Sequence, residues 1–183
     1  LVASNVSDRH IETLEFLCYG GCLGRHEIGH PSIWGDTLET RTYQIHIETN
    51  KAPEFIDITD QVLEFLRQSN VSNGLAIIYS KHTTAAIRIN EHEPLLLQDM
   101  EDFIERISPR TALYRHNDFS IRTVNMTDDE YPNGHAHCQH LLFGSSENIP
   151  IIEGNLQLGR WQRIFLIELD TPRPRTVLIQ IIG

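Results

Sequence analysis

The chain has 183 residues, 40% of them hydrophobic, and a formal charge of −10 at pH 7. That length suits one domain with an appendage, the apolar fraction excludes a disordered chain, and no apolar run reaches the roughly 18 residues of a membrane helix. The acidic balance argues against a general nucleic-acid binder, which presents a net basic face.

Residues 1–40 carry six acids against two arginines and have weak periodicity, which reads as a loop-rich N-terminal extension before a domain at 41–183. His26-Glu27-Ile28-Gly29-His30 matches the H-E-x-x-H pattern of zinc proteases, yet Gly29 inside it and Pro31 after it oppose the helix that motif needs. Cys18, Cys22, His26 and His30 recur every four residues, an alternative zinc spacing, although an extension whose side chains do nothing concerted is preferred. Three cysteines imply no disulfide framework, and without a secretory pattern at the N-terminus the expected compartment is the cytoplasm.

From Thr42, Tyr43, Ile45 and Ile47 alternate with Gln44, His46 and Glu48, a half-buried strand. Thr59 or Asp60 opens a helix with Val62, Leu63 and Leu66 on one face, ending near Asn70. Residues 74–80 and 85–90 read as strands, with Ile87 and Ile89 opposite Arg88. Pro94 suits the first turn of a helix whose stripe Leu96, Met100, Phe103, Ile104 and Ile107 is expected to pack in the core. Residues 117–134 form a long connection, expected to be a lid or an interface segment. A short helix at 137–143 and strands near 147–152, 156–158, 161–170 and 175–182 complete an α+β single domain, with a mixed, largely antiparallel sheet and a few packed helices.

Ten histidines are available, and His82, His116 and His137 each stand beside an element end. Three neutral imidazoles with an open position suit a catalytic divalent metal, although on spacing alone ordinary surface or satisfied core histidines are the preferred reading. Arg160, Arg163, Arg173 and Arg175 cluster near the C-terminus, where they either pair with Glu168 and Asp170 or meet a small anion.

Lys81-His82-Thr83-Thr84-Ala85-Ala86-Ile87-Arg88-Ile89-Asn90-Glu91, Tyr114-Arg115-His116-Asn117, Ala136-His137 and the segment from Ser146 through Gly154 to Gly159-Arg160-Trp161-Gln162 resemble, in order and spacing, the YjbQ-type family, whose members are described as secondary thiamine-phosphate synthases. The resemblance covers residues 42–183. It departs at Arg160, where a threonine is expected, and at His140; residues 1–40 have no counterpart in it.

That resemblance implies a small α+β protein assembling as a homotrimer, with a divalent metal, zinc or alternatively magnesium, held by His82, His116 and His137 near a subunit boundary. Glu91, His82 and His137 are then the catalytic candidates, Glu91 as a base or as a carboxylate orienting a ligating imidazole. Thr83, Thr84, Arg88, Asn90, Arg115, Trp161 and Gln162 are the substrate-binding candidates. The implied reaction joins hydroxymethylpyrimidine diphosphate to thiazole phosphate with release of pyrophosphate, a small phosphorylated substrate whose leaving charge a metal and arginines would neutralise. Two alternatives stay open: a metal-dependent hydrolase of a small phosphate or ester, and a non-enzymatic trimer whose metal is structural.

Overall fold

The computed structural model describes residues 38–183; the His26–His30 motif, the Cys18/Cys22 pair and nearly all of the expected extension lie outside them. The alternating pattern begins at β1 (Thr40–Glu48), two residues before its expected start, and is followed by β2 (Glu54–Asp57) and α1 (Thr59–Ser69). Asn70 ends α1 in the left-handed conformation, φ 58°, as a helix C-terminus favours. β3 (Gly74–Ser80) and β4 (Ala85–Glu91) match their expected bounds closely, and α2 spans Pro94–Ile107. A single 3₁₀ turn, Arg115–Asn117, interrupts the long connection to α3 (Gly134–Phe143); β5 (Ser146–Ile152), β6 (Asn155–Leu156), β7 (Gln162–Glu168) and β8 (Pro174–Ile182) then complete the domain.

Among the described residues every strand pairing is antiparallel, so the mixed, largely antiparallel sheet expected from the sequence is two wholly antiparallel sheets. One has five strands in the order β1-β8-β3-β5-β6, the other three in the order β2-β7-β4. Their facing sides share a core of Ile78, Ile87, Ile151, Ile164, Leu166 and Ile179, joined by Val62 and Leu66 of α1. A second cluster lies on the other side of the small sheet, where Phe165, Ile167 and Leu169 meet Ile104 of α2 and Ala136 of α3. β7 is therefore covered on both faces, which accounts for its unbroken apolar run Ile164–Ile167. Each such side chain contributes about 1.5–3 kcal/mol by leaving water.

α2 departs from expectation. Ile104 is its only fully buried residue and Leu97 packs beside it, whereas Phe103 is 51% and Ile107 42% exposed. The contact line of α2 follows positions 97 and 104, two turns apart, so the rest of the apolar stripe overhangs the small sheet. Met100 and Phe103 wall a pocket of about 430 Å³ that also takes in Phe143, Arg88 and Asn90.

Candidate functional site

Tyr114 and Asn117, on either side of His116, determine how the 3₁₀ turn meets α3. The Tyr114 hydroxyl is 2.8 Å from Ser108 Oγ and donates to the Pro109 carbonyl, while the Asn117 side-chain oxygen accepts the Gly134 N–H at 2.8 Å. A Cβ at position 134 would stand 2.5 Å from Tyr114 Cβ, so only glycine lets α3 begin there. Docked this way, the His116 and His137 rings pack edge to face with centres 4.6 Å apart. Arg122 anchors the connection beyond them through Glu130 and the Asn125 carbonyl.

Burial, helped by the neighbouring His116 ring, lowers the His137 pKa below its usual 6.5, which favours the neutral imidazole. His116 Nε2 is buried and has no hydrogen-bond partner among the described residues. The same holds for Asn133 Oδ1, both ring nitrogens of His135, Gln139 Oε1 and Asp170 Oδ1. Three of these residues lie on or just before α3 and the others face the same region: Asp170 receives Asn133 Nδ2 at 3.2 Å, and its charge acts on both His135 and His137. Buried polar atoms are ordinarily paired, and an unmade hydrogen bond there costs about 1–3 kcal/mol.

Next to this region lies a set of paired charges. Glu168, 0% exposed, accepts Arg175 Nε at 2.6 Å, Thr49 Oγ1 at 3.1 Å and the Asp170 N–H at 3.0 Å. Arg173 pairs with Asp170 at 3.0 Å, so two of the four C-terminal arginines take the carboxylate partners expected for them. His82 stands beside this set: its Nε2 accepts the Thr176 N–H at 2.9 Å, and burial together with the Arg175 charge pushes its pKa down.

The structure thus brings His116 and His137 together and gives His82 Nε2 a backbone partner. Among the described residues no three His, Cys, Asp or Glu side chains are arranged to hold one metal ion. The donor chemistry of the His116–His137 pair suits a borderline cation such as zinc, and one chain would supply two imidazoles to it. Of the threonines, Thr83 is exposed, whereas Thr84 is buried with its hydroxyl accepting Arg175 Nη2 at 3.0 Å, so that side chain faces the arginine rather than a ligand space. Arg115 is exposed next to His116 and has no side-chain partner among the described residues.

The remaining candidates lie elsewhere. β4 pairs Ala85 with Glu168 at one end and Glu91 with Gln162 at the other, six residues or about 20 Å along the strand. Within one chain Glu91 therefore does not reach His82. Arg88 is held by Glu147 at 2.7 Å and points into the apolar pocket under α2, and Asn90 accepts the Glu91 N–H and donates to the Met100 sulfur. Gln162 accepts the Gly159 N–H at 2.7 Å and so closes the turn before β7, while Trp161 is 60% exposed beneath the Arg160 guanidinium.

His135, Asn133 and Gln139 were not singled out by the sequence, because an imidazole or amide in a short helix looks the same buried or solvated. Glu168 did leave a trace: a lone carboxylate inside an apolar strand signals a buried charge with a partner.

A family profile described as "UPF0047 protein YjbQ-like" matches residues 43–183. A UPF0047 protein of Methanothermobacter thermautotrophicus is 36% identical over 149 residues, 81% of this chain and 96% of that one. The UPF0047 protein YugU of Bacillus subtilis is also 36% identical, over 76% of this chain and 97% of its own length. A crystal structure of a YbjQ-like protein of unknown function from Sulfolobus solfataricus P2 superimposes with a TM-score of 0.73 at 34% identity, covering 80% of this chain and 99% of that one. Fold and sequence agree over the same residues: this chain belongs to the YjbQ/UPF0047 family.

Proposed function

We propose that the chain is a metal-assisted enzyme acting on a small phosphorylated substrate, with the His116–His137 pair as the metal-holding element and thiamine-phosphate formation as its reaction. The observation that supports this reading is the pair itself: two imidazoles in contact, one with a buried nitrogen that has no partner among the described residues, flanked by the exposed Arg115. A divalent metal bound there would supply positive charge toward a diphosphate leaving group.

The chain's own residues supply the rest. Burial keeps His137 neutral near pH 7, so its ring has a lone pair to offer, and packing of Gly134 against Tyr114 holds the two rings in place. Arg115 is placed to meet phosphate oxygens, and the Glu168–Arg175 pair keeps the adjacent interior rigid without drawing on the pair's nitrogens. Arg88 and Gln162, with their bonds already made, are left out of this reading. The domain would work as a homotrimer. In favour of association, the five-stranded sheet leaves Tyr79 and Ile152 exposed, and the long connection exposes Ile121 and Val124.

Metal content of chelator-free protein, compared with a His116→Ala, His137→Ala double variant, tests the reading directly. One metal per chain, lost in the variant with sedimentation unchanged, is the expected result, followed by formation of thiamine phosphate from the two phosphorylated halves. Metal retained by the variant would overturn the assignment. Phosphate release without the thiazole phosphate would favour the hydrolase. A metal whose loss dissociates the trimer, with no turnover in the parent protein, would favour the structural role.

A further inference from the structure

The small sheet is only partly roofed. α2 and α3 lie on its side away from the main core, and because α2 packs there through Leu97 and Ile104, a pocket of about 430 Å³ stays open between the two helices and the strands. Its floor is Ile104 and Ile167, each 1% exposed, its sides are Met100 and Phe143, and its lip is Phe103 and Leu142, 51% and 55% exposed. A concave apolar space of this volume, walled by two helices and a sheet, has the size and lining of a small-ligand site.

The charges around the pocket select what can enter. Arg88 is the one charged residue in its wall among the described residues, and its guanidinium is already held: Nη1 meets Glu147 at 2.7 Å and Nη2 donates to the Leu142 carbonyl at 3.3 Å. Asn90 is held as well, its Oδ1 accepting the Glu91 N–H at 2.9 Å and its Nδ2 donating to the Met100 sulfur at 3.0 Å. Asp99 and Asp102 stand exposed on α2, next in sequence to Met100 and Phe103. An anion must therefore pass carboxylates to reach a guanidinium that is taken, and a cation would be buried against that same guanidinium. A charged group that leaves water without gaining a partner loses far more than a neutral one.

We propose that this pocket binds an uncharged, predominantly hydrocarbon molecule of one or two rings, seated on Ile104 and Ile167 and closed over by Phe103 and Leu142. Met100 suits such a guest, since its flexible thioether adapts in shape and makes favourable contacts with aromatic rings. The guest differs in class from a phosphorylated substrate, and neither Arg88 nor Asn90 recognises it. The pocket is a second site, separate from the His116–His137 pair, although Leu142 and Phe143 belong to the last turn of the helix that carries His137.

N-phenyl-1-naphthylamine and 8-anilinonaphthalene-1-sulfonate share one aromatic skeleton and differ by a sulfonate, so together they test the charge argument. The neutral probe is expected to give a saturable rise in emission at one molecule per chain, and the sulfonate to bind at least about tenfold more weakly. Phe103→Asp sets a charge at the lip and should weaken the neutral probe about tenfold, with Leu142→Asp as an independent second variant. Leu113→Asp, at a fully exposed leucine outside the pocket, should leave the affinity unchanged. Because Phe103 and Leu142 are half exposed, circular dichroism and the thermal midpoints of their variants should stay close to the parent's. Absence of saturable binding, equal affinity for the two probes, or equal weakening in the lip variants and in Leu113→Asp would overturn the proposal. So would neutral-probe binding that weakens as protein concentration and sedimentation coefficient rise together, since a second copy would then fill the pocket. The assay needs neither metal nor turnover, so it can fail while the histidine reading holds, and the reverse.

Discussion

The two ends of β4 place polar side chains in opposite surroundings. Near Ala85 the strand joins an interior where Glu168, Asp170, His135 and Gln139 are all removed from water, and several of their polar atoms have no partner among the described residues. Near Glu91 it opens into a cleft where Asp57, Arg163 and Glu93 are well paired and solvent is close. The buried end carries large individual costs and so is sensitive to single substitutions; the open end carries small ones, because water can replace whatever is removed. Unpartnered atoms are therefore informative at the first end and much less so at the second.

The sharpest way to break this contrast is Glu168→Ala. Removing one member of a buried pair strands Arg175, and a loss of about 3–5 kcal/mol in urea unfolding is expected; a change under about 1 kcal/mol would mean that the interior is hydrated. At the open end, Asp57→Asn should cost about 1–2 kcal/mol at pH 7, reduced by the partial exposure of Arg163. Burial raises the Asp57 pKa, but the bonds from Arg163, Thr59 and His92 outweigh it and bring it down to about 2 from 3.8. A lowered carboxylate gives stability that is complete above the unfolded value and lost as pH falls from about 4 toward 2. Unfolding free energies across that window should fall less steeply in Asp57→Asn than in the parent protein.

Acid separates the ends a second time. His82, His135 and His137 are held below 6.5 by burial, so between their folded values and 6.5 the unfolded chain binds more protons. Stability is complete above about pH 6.5 and declines below it, about 1 kcal/mol or a drop of roughly 2–4 °C in the melting midpoint from pH 7.5 to 5.5. A flat profile would show these imidazoles to be solvated. The smallest effect belongs to Arg160→Ala, which uncovers the Trp161 ring and should change stability by under about 0.5 kcal/mol in thermal melts. The tryptophan emission of that variant should nevertheless shift to the red.

Much of the fold was legible because its cause is local. Period-two alternation marked β1, Pro94 marked the first turn of α2, and the bounds of β3 and β4 followed from apolar runs between turn residues. The α2 stripe misled because periodicity reports which side chains share a face, not how much of that face the neighbouring sheet covers: Ile104 meets Phe165 and Ile167 while Phe103 overhangs. For the candidate site, residue types and motif order pointed to His82, His116 and His137 as one group, of which the fold brings His116 and His137 into contact. Their contact depends on Gly134 seating against Tyr114 across a connection of some fifteen residues, a long-range packing event that leaves no periodic signal.

What the sequence determined by itself was the kind of molecule: an acidic α+β domain of the YjbQ type, carried by alternation, turn residues and motif order, all of which act over a few positions. Tertiary structure decided which polar groups share an environment. His82 Nε2 accepts the Thr176 N–H, Thr84 turns to Arg175, and Glu91 stands about 20 Å along β4 from that end. Those outcomes follow from strand register and from the need of each buried charge for a partner, which is met by residues as far apart in the chain as Thr84 and Arg175.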